Sequence, residues 1–237
     1  MGEGRSVAAS FVLGVLLAAG LIGLGFFVTD AMYRIKQMER SVNVKGLAMK
    51  EVKADTAIFP IHFQNTAPTM KELNVKIKRD LRLIKAFLSE YGFTGAEITI
   101  NPPQFTDRLA QGYNNYNPKI RFFADSMITV YSRQVDQVVK LQRELYKLSD
   151  AGVFARNDPY ETQFIFTGLN KIKPEMIEIA TKNARKAAMK FAKDSDSRLG
   201  KIKRASQGYF TIDNRDQNTR WIKKVRVVTN VVYYLGD

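Results

Sequence analysis

Six residues within VKGLAMKEVKADTAIFPIHF (Val44–Phe63) are of types that do acid–base work: Lys45, Lys50, Glu51, Lys53, Asp55 and His62. His62 is the only histidine. An imidazole with a carboxylate in hydrogen-bond reach can move protons near neutral pH. The spacing offers a plainer account. In a strand, alternate residues share a face. Ala57, Phe59, Ile61 and Phe63 then form the better core face, and Thr56, Ile58, Pro60 and His62 the other. Pro60 places the strand at an edge or bulge. No partner for His62 is nameable from the sequence, so it reads as structural. Lys45, Lys53 and Asp55 read as outward residues, with Lys53 and Asp55 in a weak surface pair.

The elements that position these residues follow from periodicity. Ser41–Leu47 alternates as a short strand closed by Gly46, and Val52–Phe63 is a second strand. Thr69 and Glu72 form a capping box. The helix behind it has Leu73, Ile77, Leu81, Ile84 and Leu88 on one face and ends at Gly92. Strands are expected at Ala96–Ile100, Ile120–Tyr131 and Thr162–Thr167. A helix is expected at Gln134–Ser149, with Val135, Val138, Leu141, Leu145 and Leu148 inward and Gly152 as its stop. A third helix is expected from Pro174 to Asp196, burying Ile177, Ala180, Ala184, Ala187/Ala188 and Phe191. Strands near Ile202–Ile212 and Ile222–Leu235 finish the chain. The order β-α-β-β occurs twice. The expected class is α+β: a mainly antiparallel sheet with packed helices, two β-α-β-β-like blocks, and one N-terminal transmembrane helix in front.

That helix is Val7–Val28, an uncharged run that spans roughly 33 Å at helical rise. It exceeds a signal-peptide core, and Phe26-Phe27-Val28 offers no good cleavage site, which favours an uncleaved anchor. Ser10, Gly14 and Ala18 form a weak small-residue stripe. The resulting division is a tail at 1–6, an anchor at 7–28, a juxtamembrane linker at 29–40 and a domain at 41–237. Arg34, Lys36, Arg40 and Lys45 follow the run and only Arg5 precedes it, a bias that by itself places the domain in the cytoplasm. Long domains translocate despite such charge.

The chain has 237 residues and a formal charge of +14. Between Lys171 and Arg226 there are 16 basic and 6 acidic residues. Such a field suits anionic partners, or serves as a solvated face. There is no cysteine, which excludes disulfides, thiolate nucleophiles and cysteine-ligated metals. No P-loop, nucleophile elbow or zinc-protease motif occurs. No catalytic residue, cofactor or metal site is assigned, and the chain reads as a non-enzyme. Two surfaces are candidates for binding. Tyr113, Asn114, Asn115 and Tyr116 stand in the long polar stretch Asn101–Lys119, an interaction loop or a plain loop tip. Arg220, Trp221, Lys223, Lys224 and Arg226, near Tyr209, Phe210, Tyr233 and Tyr234, interleave cations with aromatics as in nucleic-acid stacking platforms. The same alternation is normal for strand cores, and no RNP-type signature accompanies it, so nucleic acid is disfavoured.

An ordered set of short motifs resembles the SIMPL domain family. It comprises Val42-Asn43-Val44-Lys45-Gly46-Leu47-Ala48, Glu51-Val52-Lys53-Ala54-Asp55, Arg121-Phe122, Val130-Ser132-Val135-Asp136 and Asp150-Ala151-Gly152. It continues through Lys173-Pro174-Glu175-Met176 and Ala184-Arg185-Lys186-Ala187 to the Val225–Tyr233 strand. The resemblance implies an α+β domain of the bacterial cell envelope, anchored in the inner membrane with its domain in the periplasm. It also implies a link to stress tolerance and room for self-assembly, with no family catalytic residues to carry over. The expected function is therefore a membrane-anchored periplasmic domain that self-assembles as a homo-oligomer or binds an envelope partner. The alternative is a membrane-tethered cytoplasmic domain that binds nucleic acid or anionic lipid.

Overall fold

The computed structural model describes residues 3–38, 40–110 and 120–236. The chain opens with helix α1 (Glu3–Met38), which contains the apolar span Leu13–Tyr33. Linker residues 29–38 are helical too, so α1 continues well past the apolar run. The rest is α+β with antiparallel sheets, as the periodicity predicts, and its strands divide between two sheets. By compactness the chain forms two units. One takes in the chain through Met49, Pro174–Phe210 and everything from Arg226. The other is Lys50–Lys173 with Thr211–Val225.

The second unit holds a six-stranded sheet. Its centre is β2 (Thr56–Ala67), paired antiparallel along its length with β5 (Phe122–Ser132). β3 (Ile98–Ile100) and β4 (Gln104–Asp107) pair with β5. On the other side of β2, β7 (Gln163–Ile165) pairs with its start and β6 (Ala155–Arg156) with its middle. Helices α2 (Met70–Glu90) and α3 (Val135–Glu144) cover one face, and the single turn α4 (Lys147–Asp150) follows α3. The core is Ala57, Phe59, Ile61 and Phe63 from β2 with Leu73, Ile84 and Leu88 from α2 and Val135, Val138 and Leu141 from α3. Burying such side chains contributes about 1.5–3 kcal/mol each, before conformational entropy is subtracted. The caps are as expected: Thr69 Oγ1 accepts from Glu72 N and donates to the Glu72 carboxylate, and Gly92 leaves α2 at φ +83°.

The first unit is a sheet with one helix on it. From Arg226 on, β10 (Ile222–Gly236) is central, between β1 (Ser41–Lys53) and β8 (Arg198–Gln207); β9 (Thr211–Asn214) and the start of β10, which pair, belong to the second unit. Leu235 N donates to Arg40 O and Ala54 N to Trp221 O, so β1 and β10 run antiparallel. Helix α5 (Leu169–Asp194) buries Met176, Ala180, Ala184, Ala188 and Ala192. Ala184 and Ala188 pack with Val44, Val231 and Tyr233.

Five expectations need correction. Gly46 does not close a strand: β1 runs through it to Lys53, and the break falls at Ala54-Asp55. Gly46 is instead the point where α5 touches the sheet. A Cβ there would stand 2.6 Å from Ala184 N and closer still to Ala180 O. The stretch from Asn101 is not loop throughout, because Gln104–Asp107 pairs with β5. The second helix is two helices, α3 and α4. α5 starts at Leu169, before Pro174, which lies inside it. Its buried face is the alanine stripe with Met176, whereas Phe191 is 58% exposed, because the alanines alone permit the close approach at Gly46.

Candidate functional site

His62 lies on the face of β2 opposite the core, with its side chain 19% exposed. Its cross-strand partners are Met127 on β5 and Arg156 on β6. Pro60 does not mark an edge strand. It sits where the flanking ladder is interrupted between β6 and β7, so its missing N–H leaves no gap in a ladder. Asn157 Nδ2 donates to Pro60 O at 2.7 Å and so fills that interruption.

The partner that the sequence could not supply is Glu161, 99 residues on, whose Oε2 is 2.7 Å from His62 Nε2. On the other side, Asp125 Oδ1 stands 3.7 Å from Nδ1. Asp125 Oδ2 accepts from Gln64 Nε2 at 3.1 Å and lies 3.9 Å from Arg156. His62, Asp125 and Arg156 border a cavity of about 500 Å³ that Asn101, Pro103, Gln104, Ser126 and Met127 also line. Of the two carboxylates, Glu161 is within hydrogen-bond reach of the imidazole and Asp125 is not. Nucleophilic chemistry needs more. Ser126 lines the same cavity, but it alternates inward beside Ala124 and Ile128, is 3% exposed, and its Oγ has no hydrogen-bond partner among the described residues. Among the described residues, no three His, Asp or Glu side chains converge as metal ligands.

Glu161 reaches His62 because its segment is tied at several points. Asn157 Oδ1 accepts from Thr162 Oγ1 at 3.1 Å. Asp158 Oδ1 accepts from Tyr160 N at 2.8 Å. Arg220 donates to Pro159 O and lies over the Tyr160 ring at 5.8 Å.

Asp55 and Lys53 do not pair with each other. Lys53 makes an ion pair with Asp136. Asp55 sits at the corner between β1 and β2, where Oδ2 accepts from Thr167 N (2.8 Å), Thr167 Oγ1 (3.1 Å) and Gly168 N (3.2 Å), and Oδ1 from Thr56 Oγ1 (3.1 Å). Partial burial acts to raise its pKa. The donors of Thr167, Thr56 and Gly168 outweigh that and hold the carboxyl below its ordinary range. Glu51 reaches Arg215 at 3.6 Å.

The basic and aromatic residues of the last hairpin do not share one exposed platform. Trp221 is half-buried, edge-on to Phe164 at 6.1 Å and under Arg143 at 5.9 Å. Arg220 is engaged with Pro159 and Tyr160. Lys223 is buried and donates to Asn214 Oδ1 at 2.5 Å; burial, helped by the charge of Arg220, pushes its pKa down. Tyr233 is core, while Tyr209, Lys224 and Arg226 are exposed. Tyr113, Asn114, Asn115 and Tyr116 lie outside the described residues.

Several of the motif residues that carry the resemblance turn out to be structural ties. Ser132 is buried, donates to Glu97 Oε1 at 2.5 Å and accepts from Gln134 N at 3.0 Å. Asp136, four residues on, holds Lys53. Gly152 turns the chain at φ +73°. Gly46 admits α5. An antiparallel α+β domain behind one helix long and apolar enough to cross a membrane is the class these features define. The chain belongs to the SIMPL family, whose model, described as a protein of unknown function (DUF541), matches residues 42–226. No curated protein matches the chain.

Proposed function

We propose that the chain is a membrane-anchored SIMPL domain with a non-enzymatic role in the bacterial envelope. It stands on the periplasmic side of the inner membrane, assembles with copies of itself or binds an envelope partner, and serves stress tolerance. The observation that carries this reading is the short tether. α1 ends at Met38 and β1 begins at Ser41, so little free chain separates a membrane-spanning helix from the folded domain. Confinement at a surface raises local concentration and favours weak assembly. The arrangement around His62 supports the non-enzymatic part, since the imidazole is engaged with Glu161 and the Ser126 hydroxyl that lines the cavity is buried with no base in hydrogen-bond reach among the described residues.

A C-terminal alkaline phosphatase fusion, with a fluorescent-protein fusion in parallel, tests the orientation. Phosphatase activity is the expected result. A silent phosphatase with a bright fluorescent fusion sinks the periplasmic reading. It would favour the second one, in which a cytoplasmic domain uses its positive charge on nucleic acid or anionic lipid. That second reading has a specific observation behind it, the cluster Arg34, Lys36, Arg40 and Lys45 on the domain side of the apolar run. Light scattering on the full chain in detergent tests self-assembly, with a mass above that of one chain and its micelle expected. A single-chain mass at the highest attainable concentration removes that part.

A further inference from the structure

The sheet of the first unit is covered unevenly. α5 touches it at β1, where Ala180 and Ala184 meet Gly46 and Asn183 Nδ2 donates to Leu47 O at 2.9 Å. β8, at the opposite side of the order β1-β10-β8, is left bare. All of its 10 residues except Leu199 are exposed, and among the described residues it pairs only with β10. Between α5 and β8 lies a groove of about 620 Å³, lined by Thr181, Lys182 and Arg185 of α5 and Lys201 and Ile202 of β8, with Tyr233 beneath.

The backbone of β8 is presented for pairing. Gly208 N donates to Val228 O at 2.8 Å. In the register Ser206↔Asn230 and Arg204↔Val232, those residues therefore turn their N–H and C=O toward β10. Ala205 and Gln207 turn theirs outward. Ala205 pairs with the core residue Val231, so a strand added beside it would send alternate side chains toward the groove under α5. A strand edge beside a helix-walled groove is the geometry of β-strand addition, in which main-chain bonds give affinity and flanking pockets give selectivity.

Charge selects the occupant. The edge carries Arg198, Lys201, Lys203 and Arg204, and the groove wall adds Lys182 and Arg185. Glu178 opposes them, and it is bound to Lys182 at 2.5 Å. Pairing of β8 with β8 of a second copy would set like charges across the new ladder, which is destabilising. We infer that the β8 edge and the groove beside α5 form a docking site for an extended acidic peptide segment of a partner protein, added as a further strand to the sheet. This names a partner class for the binding role proposed above. It leaves self-assembly to other surfaces and does not depend on which side of the membrane the domain occupies.

The test uses the full chain in maltoside micelles and fluorescence anisotropy. The probes are a labelled ten-residue peptide alternating threonine and glutamate, its lysine counterpart, and the glutamate peptide N-methylated at every second residue. The glutamate peptide should bind saturably and the lysine peptide should not. N-methylation, which keeps the charge and removes ladder bonds, should weaken binding at least tenfold. Ala205→Pro should do the same with the far-ultraviolet circular dichroism unchanged. Lys201→Glu combined with Arg204→Glu should transfer binding to the lysine peptide. Equal binding of the N-methylated peptide reduces the site to unspecific charge and overturns the inference, as does the absence of saturable glutamate-peptide binding at low salt. A concentration-dependent dimer that Ala205→Pro abolishes, with peptide binding unaltered, assigns the edge to a second copy instead. A cytoplasmic fusion result or a monomeric mass would overturn parts of the proposed function and leave this outcome untouched.

Discussion

Gly46, Asp55 and Ser132 each carry a structural duty that their residue type explains. At Gly46 a side chain would meet backbone of α5, which cannot give way as a flexible side chain can. Gly46→Ala should therefore cost about 3 kcal/mol, at the upper end of overpacking. For a chain of this size that lowers the melting temperature by roughly 6–12 °C; an unchanged melt would mean that α5 is not held there. Asp55 makes a pH prediction. Its folded pKa is depressed, so its stabilising contribution is complete above its unfolded value of about 3.9 and is lost as pH falls through the lower folded value. Asp55→Asn should lower stability at neutral pH by about 2 kcal/mol, the scale of hydrogen bonds to a charged acceptor. The difference from the native chain should shrink below pH 4. Urea titrations at pH 7 and pH 3 measure it, and an equal loss at both assigns the effect to shape rather than charge. His62 was legible as the residue to examine. Its partner was not, because no local pattern announces a carboxylate 99 residues away.

The elements show where periodicity suffices and where it stops. The face of β2 was legible residue by residue, since a one-residue slip would bury His62 and expose Phe59. The boundary between β1 and β2 was misread because Gly46 resembles a strand end, and only the close approach of α5 explains a glycine inside a strand. The same approach explains why Phe191 is excluded: its bulk is incompatible with the spacing that the alanines allow. Pro60 signals an edge, and the structure satisfies that signal within a central strand by interrupting the neighbouring ladder between β6 and β7. Asn157 bridges that interruption through Pro60 O and Thr162 Oγ1, and Thr162 is buried. Asn157→Ala leaves both groups without this partner. It should destabilise by about 2 kcal/mol and speed hydrogen exchange in residues 158–162 more than in α2. Uniform acceleration across both segments would show that the segment opens only with the whole unit.

For the whole molecule the decisive feature is that α1 adds length without adding core. Its apolar side chains from Leu13 to Tyr33 are exposed, Phe26 and Phe27 at 77% and 81%. The buried clusters of both units are built from residues beyond Ser41. In water such a surface favours aggregation, whereas a bilayer could bury it. The two environments therefore make separable demands on the chain. Deleting residues 1–38 removes exposed apolar surface long enough to cross a bilayer and leaves the residues of both buried clusters in place. The shortened chain should be soluble without detergent and melt within about 3 °C of the full chain in micelles, since less than 1 kcal/mol of folding free energy is at stake. The full chain should stay in the membrane pellet after carbonate washing. A shortened chain that is unfolded by circular dichroism would show that α1 packs on the domain as a structural helix. A full chain released by carbonate would show that the apolar run does not cross the bilayer.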